Sequence, residues 1–291
     1  MHALPFLLAL VAAALLAPLL LRGLREGGHT RPNYRERALP FPFGVLVLAA
    51  ALLALIPLML IQRLGSTAVL YPQTLPVALY ALGVLALGLL DDLLTPGAVA
   101  GGGGPTDPAA SPGAPRGWRG HGAAVLRGEL STGALKAAGS LGLALLAMSY
   151  LGLSNGRWLL AAGVLVLATN LFNLLDMRPG RSLKAFALLG GGLAIGSTDL
   201  RPLWMIGLFA APILVAGLYD LRERAMLGDT GANLLGALAG LWLVLTLSAT
   251  GQLVALVLLA AVTLYGELRS ISELVERAPG LRELDSWGRP S

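Results

Sequence analysis

Three groups of acidic side chains stand where long apolar runs of this chain meet short polar loops. Asp91-Asp92 and Asp176 each follow an apolar run, and Asp229 precedes another. Carboxylates gathered at one place suit a divalent cation that also binds phosphate, because Mg²⁺ prefers oxygen ligands. We therefore expect the three groups to meet at one face of the protein and to hold a metal-bound diphosphate.

The segment around Asp229 reads Gly-Asp-Thr-Gly, from Gly228 to Gly231. It separates a short charged loop from an apolar run, which places the Asp229 carboxylate at the water-facing mouth of a helix. Glycine on either side lets the backbone turn tightly and lets a bulky ligand come close. Asp229 is therefore a candidate for catalysis and for binding a metal.

Asp91 and Asp92 are expected at the C-terminus of a helix, where the negative end of the helix dipole disfavours acids. Repulsion between two adjacent carboxylates adds to that cost. A metal or nearby cations would offset both, which makes the pair a second catalytic candidate, with Asp92 as a metal ligand. The alternative is that both acids only cap the helix on its solvated side.

Asn170, Asn173 and Asp176 follow one another at intervals of three. This spacing places them on one edge of a helix. Polar groups in a membrane helix are costly and face a cavity or each other, so the set predicts a ligand site, with interhelical hydrogen bonding as the alternative. The turn that follows carries Arg178 and Arg181, which suit a phosphate.

Three further residues could supply cations or an amide to the same ligand. Arg31 and Asn33 lie in the first polar loop, where a solvated loop that only sets topology is the alternative. Lys136 lies one turn into an apolar run, where the alternative is an ammonium that snorkels to the membrane surface.

Composition identifies an integral membrane protein. The 291 residues are 56% hydrophobic and 13% charged, with a mean hydropathy of +0.74, whereas soluble domains carry roughly 25% charged residues. The net charge of +5 does not indicate nucleic-acid binding, because the basic residues lie in short loops between apolar spans. The chain has no cysteine, which excludes disulfides and thiolate metal sites.

The fold class predicted is all-α, a polytopic transmembrane helical protein, because lipid leaves the backbone of an open chain no partner but its own helix. Residues 1–291 form a single membrane domain, with a flexible Gly/Pro/Ala insert at 95–115 and an amphipathic tail at 269–291. We predict nine spans, at about 4–21, 43–61, 75–90, 134–151, 158–175, 183–196, 203–219, 233–248 and 252–268.

Lysine and arginine predict the orientation of these spans. The loops after the odd-numbered spans, with the adjoining helix ends and the tail, hold 18 of the 21 basic residues. Only Arg63, Arg157 and Arg201 fall on the other side. The positive-inside rule therefore places the N-terminus outside and the C-terminus in the cytoplasm, with nearly all acidic residues on the cytoplasmic side.

In this order and at these helix ends, the motifs resemble those of the polyprenyl-phosphate N-acetylhexosamine-1-phosphate transferase superfamily, which includes the phospho-N-acetylmuramoyl-pentapeptide transferases. The resemblance covers roughly residues 25 to 245. It implies an enzyme of the inner (cytoplasmic) membrane, active at its cytoplasmic face in cell-envelope glycan synthesis. It would move a sugar-1-phosphate from a UDP-sugar to undecaprenyl phosphate with release of UMP, using Mg²⁺, or Mn²⁺ in its place. Many members are homodimers, and no nucleic-acid partner is implied.

The resemblance also implies roles for single residues. Asp91-Asp92 match the aspartate pair that activates the lipid phosphate or contacts the metal, and Asp229 matches the Mg²⁺-binding aspartate of Gly-Asp-x-Gly. The remaining matches are substrate-binding positions: Arg31 and Asn33 in the first loop, Lys136, the series Asn170, Asn173 and Asp176 near the donor, Arg178, and Asn233 where serine is common.

The chain departs from the superfamily in the turn after Asp176, where Met177-Arg178-Pro179-Gly180 replaces Gly-x-x-Gly, and in lacking the long histidine-rich loop that serves the donor sugar. Two alternatives to a transferase therefore remain. One is a non-catalytic relative that binds polyprenyl phosphate or a nucleotide and partners envelope enzymes. The other is a transporter, although transporters place polar residues near the bilayer midplane.

Overall fold

The computed structural model describes residues 2–94 and 132–290. This part of the chain holds one hairpin and eleven helices. In chain order they are α1 (Leu4–Glu26), β1 (Thr30–Pro32), β2 (Ala38–Pro40), α2 (Val45–Leu64), α3 (Thr74–Leu94), α4 (Thr132–Ser149), α5 (Asn155–Leu175), α6 (Arg181–Ser197), α7 (Arg201–Leu221), α8 (Gly228–Thr246), α9 (Ala249–Leu268), α10 (Ile271–Arg277) and α11 (Pro279–Ser286).

The prediction of an all-α polytopic membrane protein is confirmed. Each of the nine predicted spans corresponds to one of the helices α1 to α9. Seven of these are long and apolar enough to cross a membrane, whereas the apolar part of α4, Gly133–Ser149, is shorter and α6 has only 17 residues. The number of spans and the sides of the two termini therefore stay predictions. The insert predicted at 95–115 lies outside the described residues.

Helix α8 is the central element of the bundle. It packs against α3, α5, α6 and α7. Of its most apolar stretch of 18 residues, 83% is buried inside the protein. A helix that is apolar on all sides is stable only when protein or lipid surrounds it completely. Helix α9 is the opposite case, because only 17% of its most apolar 18 residues is buried inside the protein. Most of its surface is therefore left for lipid.

The helices alternate in direction, and this alternation gathers the polar residues at one end of the bundle. Asp92 and Asp176 lie where α3 and α5 end, while Lys136 and Asp229 lie where α4 and α8 begin. The start of α2 is also at this end, because an added Cβ on Gly44 would lie 2.4 Å from the backbone nitrogen of Gly231. Arg63, Arg157 and Arg201, the three basic residues predicted on the outer side, lie at the opposite end of the bundle.

The first polar loop is an ordered hairpin. Strands β1 and β2 pair antiparallel, with Arg31 opposite Leu39. The chain beyond β2 then bonds to the segment before α8: the Met226 N–H donates to the Pro40 carbonyl at 2.9 Å, and the Phe43 N–H donates to the Met226 carbonyl at 2.8 Å. These backbone bonds bring Arg31 and its neighbours beside the start of α8.

The predicted amphipathic tail consists of the two short helices α10 and α11, with Pro279 in the first turn of α11. The two helices are separated at Ala278, directly before Pro279. Neither helix has a buried residue. Helices this short are marginal by themselves, so contacts with the rest of the protein hold them in place.

Candidate functional site

A cavity of about 270 Å³ opens at the polar end of the bundle. It is lined by residues of the hairpin region, of the turn between α5 and α6, and of the start of α8. Among the predicted site residues, those at the cavity are Arg31, Asn33, Asp92, Asn173, Asp176, Arg178 and Asp229; its other lining residues are Tyr34, Phe41, Met177, Pro179, Asp220, Met226 and Gly228. The three acidic clusters therefore meet at one site.

Asp92 caps the N-terminus of α8. Its Oδ1 accepts from the Asp229 N–H at 2.9 Å, and its Oδ2 accepts from the Thr230 N–H at 2.8 Å and the Thr230 hydroxyl at 2.6 Å. The positive end of the α8 dipole thus offsets the unfavourable place of Asp92 near the end of α3. Both of its oxygens are used, so the structure gives Asp92 a positioning contact with Asp229 and leaves metal binding by Asp92 as a prediction.

Two glycines make this contact between helices possible. An added Cβ at Gly88 of α3 would lie 2.5 Å from the carbonyl oxygen of Asp229, so only glycine lets α3 and α8 approach this closely. Gly228 has a φ of +71°, and an added Cβ there would lie 2.6 Å from the Oδ2 of Asp92. Any other residue at position 228 would be strained and would also displace Asp92.

Lys136 links two of the predicted carboxylates. Its ammonium donates to the Oδ2 of Asp91 at 3.0 Å and also to the Oδ2 of Asp229. This contact offsets the repulsion expected between Asp91 and its acidic neighbours. The Asp229 side chain remains 32% exposed and lines the cavity, so it is accessible to a ligand from that side.

The series at the end of α5 divides between the cavity and the interior. Asn173 and Asp176 line the cavity, and Asp176 accepts a hydrogen bond from the Ser182 hydroxyl at 2.6 Å. Asn170 lies outside the cavity lining, and its buried amide nitrogen has no partner among the described residues. The helical spacing of three was a correct guide for the last two members but not for the first, which lies two turns deeper in the bundle.

The environment of Asp176 favours its protonated form. Burial and then the nearby carboxylate of Asp220 raise the pKa of Asp176 well above its usual range, with smaller contributions from Asp229 and Asp92, while the bond from Ser182 acts in the opposite sense. A cation bound in this cavity would favour the ionised form, so ligand binding and proton release at Asp176 are linked.

We expect Asp176→Asn to weaken the pH dependence of stability. The folded protein holds a proton on Asp176 at pH values where the unfolded chain has released it, so this group lowers stability as pH rises from about 4 towards its raised pKa. The melting temperature of Asp176→Asn in detergent, relative to that of wild type, should therefore rise as pH increases across that range. Asp199→Asn is the control, because hydrogen bonds from Arg201 lower the pKa of Asp199 and its contribution to stability is nearly constant above about pH 5. Parallel curves for wild type and Asp176→Asn would contradict this assignment.

Two guanidinium groups at the cavity lie against aromatic rings. Arg31 lies 4.8 Å from the ring centroid of Phe41, and Arg178 lies 4.6 Å from that of Tyr34. A ring attracts a cation without supplying an opposite charge that cancels it. Arg31 is therefore held at the cavity with its charge available for an anion such as a phosphate, whereas Arg178 also pairs with Glu276 at 3.5 Å.

The charged loop before α8 contains Asp220 and Glu223, which were not predicted as site residues. Asp220 is buried and accepts from the N–H groups of Gly180 at 2.7 Å and Leu227 at 3.3 Å. It thus joins the two backbone segments that border the cavity. The signal was an acidic residue near the end of an apolar run, as for Asp91-Asp92, but its target depends on a fold-wide contact.

Glu223, in the same loop, organises the hairpin. Its buried carboxylate accepts from the Asn33 amide at 3.3 Å and the Tyr34 hydroxyl at 2.9 Å, and it also pairs with Arg35 and Arg37. The Oδ1 of Asn33 accepts from the N–H groups of those two arginines at 2.9 and 3.0 Å. Asn33 therefore shapes the loop, and its predicted contact with substrate stays a prediction.

Asn233 is the remaining predicted residue. It is 4% exposed, on the second turn of α8, and does not line the cavity. The structure therefore places it in the protein interior, next to the site in sequence but not open to it.

The cavity suits Mg²⁺ shared with a ligand. In the described part of the chain, no group of three or more histidines, cysteines or acids is arranged to hold a metal by itself. Mg²⁺ seldom uses such a cage and is bound mostly through one or two carboxylates together with substrate phosphates. Asp229, partly exposed at a cavity that Arg31 and Arg178 also line, fits that pattern. A scan against models of protein families and a search of curated proteins both give no match.

Proposed function

We propose that the protein is a phosphoglycosyl transferase of the cytoplasmic membrane. It would transfer a sugar-1-phosphate from a UDP-sugar to undecaprenyl phosphate and release UMP. The observation that carries the proposal is the meeting of Asp229 and Asp176 with the guanidinium groups of Arg31 and Arg178 around one cavity. Carboxylates for a divalent cation and cations for phosphate oxygens are the groups that phosphoryl transfer requires.

The cavity residues would act by binding and orienting the two phosphates. Arg31 and Arg178 bind the diphosphate oxygens, where charge-assisted hydrogen bonds are strongest. Asp229 would hold the metal, which would neutralise charge on the diphosphate and on the leaving nucleotide. Lys136, which donates to both Asp229 and Asp91, holds these carboxylates in place and would add a cation near the phosphate oxygens.

In the proposed reaction, an oxygen of the lipid phosphate forms a bond to the phosphorus that carries the sugar. The bond from that phosphorus to the UMP oxygen breaks, and UMP leaves with the electron pair. A phosphate monoester has a second pKa near 6, so the lipid phosphate is largely ionised at neutral pH. Orientation of the attacking oxygen by Asp91 or Asp92 would therefore contribute more than removal of a proton. Direct attack and a covalent aspartyl intermediate both fit this arrangement.

Release of nucleoside monophosphate by the purified protein tests the proposal. The assay supplies undecaprenyl phosphate, Mg²⁺ and a panel of UDP-sugars and other nucleotide sugars. We expect release with one donor, only when lipid and Mg²⁺ are both present. Binding of lipid or nucleotide without release across the panel would instead support the non-catalytic relative, which the missing histidine-rich loop motivates. A transporter is less well supported, because the cavity lies at one end of the bundle.

A further inference from the structure

The C-terminal segment 271–290 contacts the rest of the protein through a cluster of charged side chains. On the inner side, Arg181 donates from Nε and Nη2 to the two oxygens of Asp285, at 2.8 and 3.1 Å. Arg289 donates to the same carboxylate at 3.0 and 2.8 Å, and the Lys184 ammonium donates to the Asp285 carbonyl. Asp285 is thus the anchor of the segment.

This anchor reaches the cavity wall. The Nε of Arg289 donates to the carbonyl of Pro179 at 2.8 Å, and Arg178 pairs with Glu276 of α10 at 3.5 Å. Both Arg178 and Pro179 line the cavity. On the other flank, Arg35 donates to the carbonyl of Pro290 at 3.1 Å. The segment therefore contacts both the α5–α6 turn and the hairpin, on the side away from the cavity.

The segment also carries three large apolar side chains that are partly or largely exposed. Leu281 and Leu284, three residues apart on α11, are 47% and 38% exposed, and Trp287 is 73% exposed. On the helical wheel, Arg282 and Ser286 occupy the opposite side. An amphipathic helix of this kind is typical of the membrane interface, where tryptophan also concentrates.

The lipid bilayer is the occupant that the surrounding surface favours. The segment directly follows α9, which exposes most of its surface, and Leu264 and Leu268 near the end of α9 are 54% and 62% exposed. The apolar side of α11 thus follows, after the seven-residue helix α10, from a helix that faces lipid. From 269 to 290, four arginines balance four acidic residues, so attraction to this surface comes from apolar burial and not from net charge.

We propose that residues 271–290 form a strap: Leu281, Leu284 and Trp287 insert into the bilayer interface, while Asp285 and Arg289 hold the cavity-lining turn Met177–Gly180. Seating on the bilayer then stabilises the cavity wall. Hydrogen bonds from Arg181 and Arg289 outweigh the effect of burial and hold the pKa of Asp285 at about 2, so the anchor is ionised at any physiological pH. This proposal stands on contacts and exposure and does not depend on the reaction proposed above.

The first test uses the absence of cysteine from the chain. Leu284→Cys and Ser286→Cys, each in the full-length protein in nanodiscs, are labelled with an environment-sensitive fluorophore and titrated with acrylamide. We expect the label at 284 to be several-fold less quenched than the label at 286, equally in neutral and anionic lipid. Equal quenching at the two positions would overturn the proposal. Shielding that requires two proteins per disc would also overturn it, in favour of a second copy as the occupant.

The second test examines the connection to the cavity. A spin label is placed at Met177→Cys, and its mobility is compared after Leu284→Glu and after Ser286→Glu. The two changes add the same charge on opposite sides of α11 and leave Asp285 intact. We expect a more mobile label only with Leu284→Glu. Equal mobility in both variants would show that seating on the bilayer does not brace the turn. Neither test measures turnover, so failure of the strap and failure of the proposed reaction are distinguishable.

Discussion

Asp229→Asn is expected to reduce release of nucleoside monophosphate by roughly a thousandfold, which corresponds to about 4 kcal/mol of transition-state stabilisation. The reason is that Asp229 supplies the negative charge that we propose binds the metal at the diphosphate, and a neutral amide of the same shape does not replace it. The measurement is the nucleotide-release assay with saturating lipid, at a series of Mg²⁺ concentrations.

The matched control for this prediction is Asp199→Asn. Asp199 pairs with Arg201 at 2.8 Å on the exposed surface, away from the cavity lining, and exposed ion pairs contribute little. We expect that variant to retain full activity. Asp229→Asn should also remain folded, because the main-chain N–H at position 229 still donates to Asp92 and Lys136 still pairs with Asp91. Near-normal turnover by Asp229→Asn would contradict the proposed function.

Asp92→Ala is expected to lower the free energy of unfolding by about 3 kcal/mol, because hydrogen bonds to a charged acceptor contribute about 1.5–3 kcal/mol and loss of a helix cap typically costs about 1 kcal/mol. The change leaves three donors at the start of α8 without their acceptor. Two of them belong to Thr230, which is completely buried. Titration with a denaturing detergent, followed by helix content, measures the effect.

Asp92→Asn separates the capping contact from a role as metal ligand. The amide keeps one oxygen as an acceptor, so a capping role predicts a stability between those of wild type and Asp92→Ala, with activity partly retained. A stable Asp92→Asn protein whose activity requires far more Mg²⁺ would instead assign Asp92 to the metal. Unchanged unfolding of Asp92→Ala would show that the cap contributes nothing.

Much of the candidate site could be predicted because helix ends are readable in the sequence. The apolar run before Asp176 and the run after Asp229 must both be helical in lipid, and alternation of the spans brings their polar ends to one side. Arg31 and Arg178 could be predicted as cations of the same site for the same reason, since the loops that carry them connect those spans.

The partners of these residues could not be predicted in this way. Asp92 accepts hydrogen bonds from the first turn of α8, whereas Asp91 pairs with Lys136. This difference depends on the register between α3, α4 and α8. That register is set by close contacts such as the one at Gly88, which involve residues far apart in the chain. The position of Asn170 could not be predicted for a similar reason. It lies at the same spacing of three as Asn173 and Asp176, but it is deeper in the bundle and does not line the cavity.

The sequence by itself determined the membrane class, the helices and the end of the bundle at which polar groups collect. These follow from local properties: apolar length, the backbone's need for hydrogen bonds, and the position of charge along the chain. The tertiary structure alone decided that Asp220 and Glu223 hold the backbone around the cavity and that Asp285 anchors the C-terminal segment beside it. Those contacts join positions about 40 to 190 residues apart, and packing, not local pattern, selects among the many pairs that the sequence would allow.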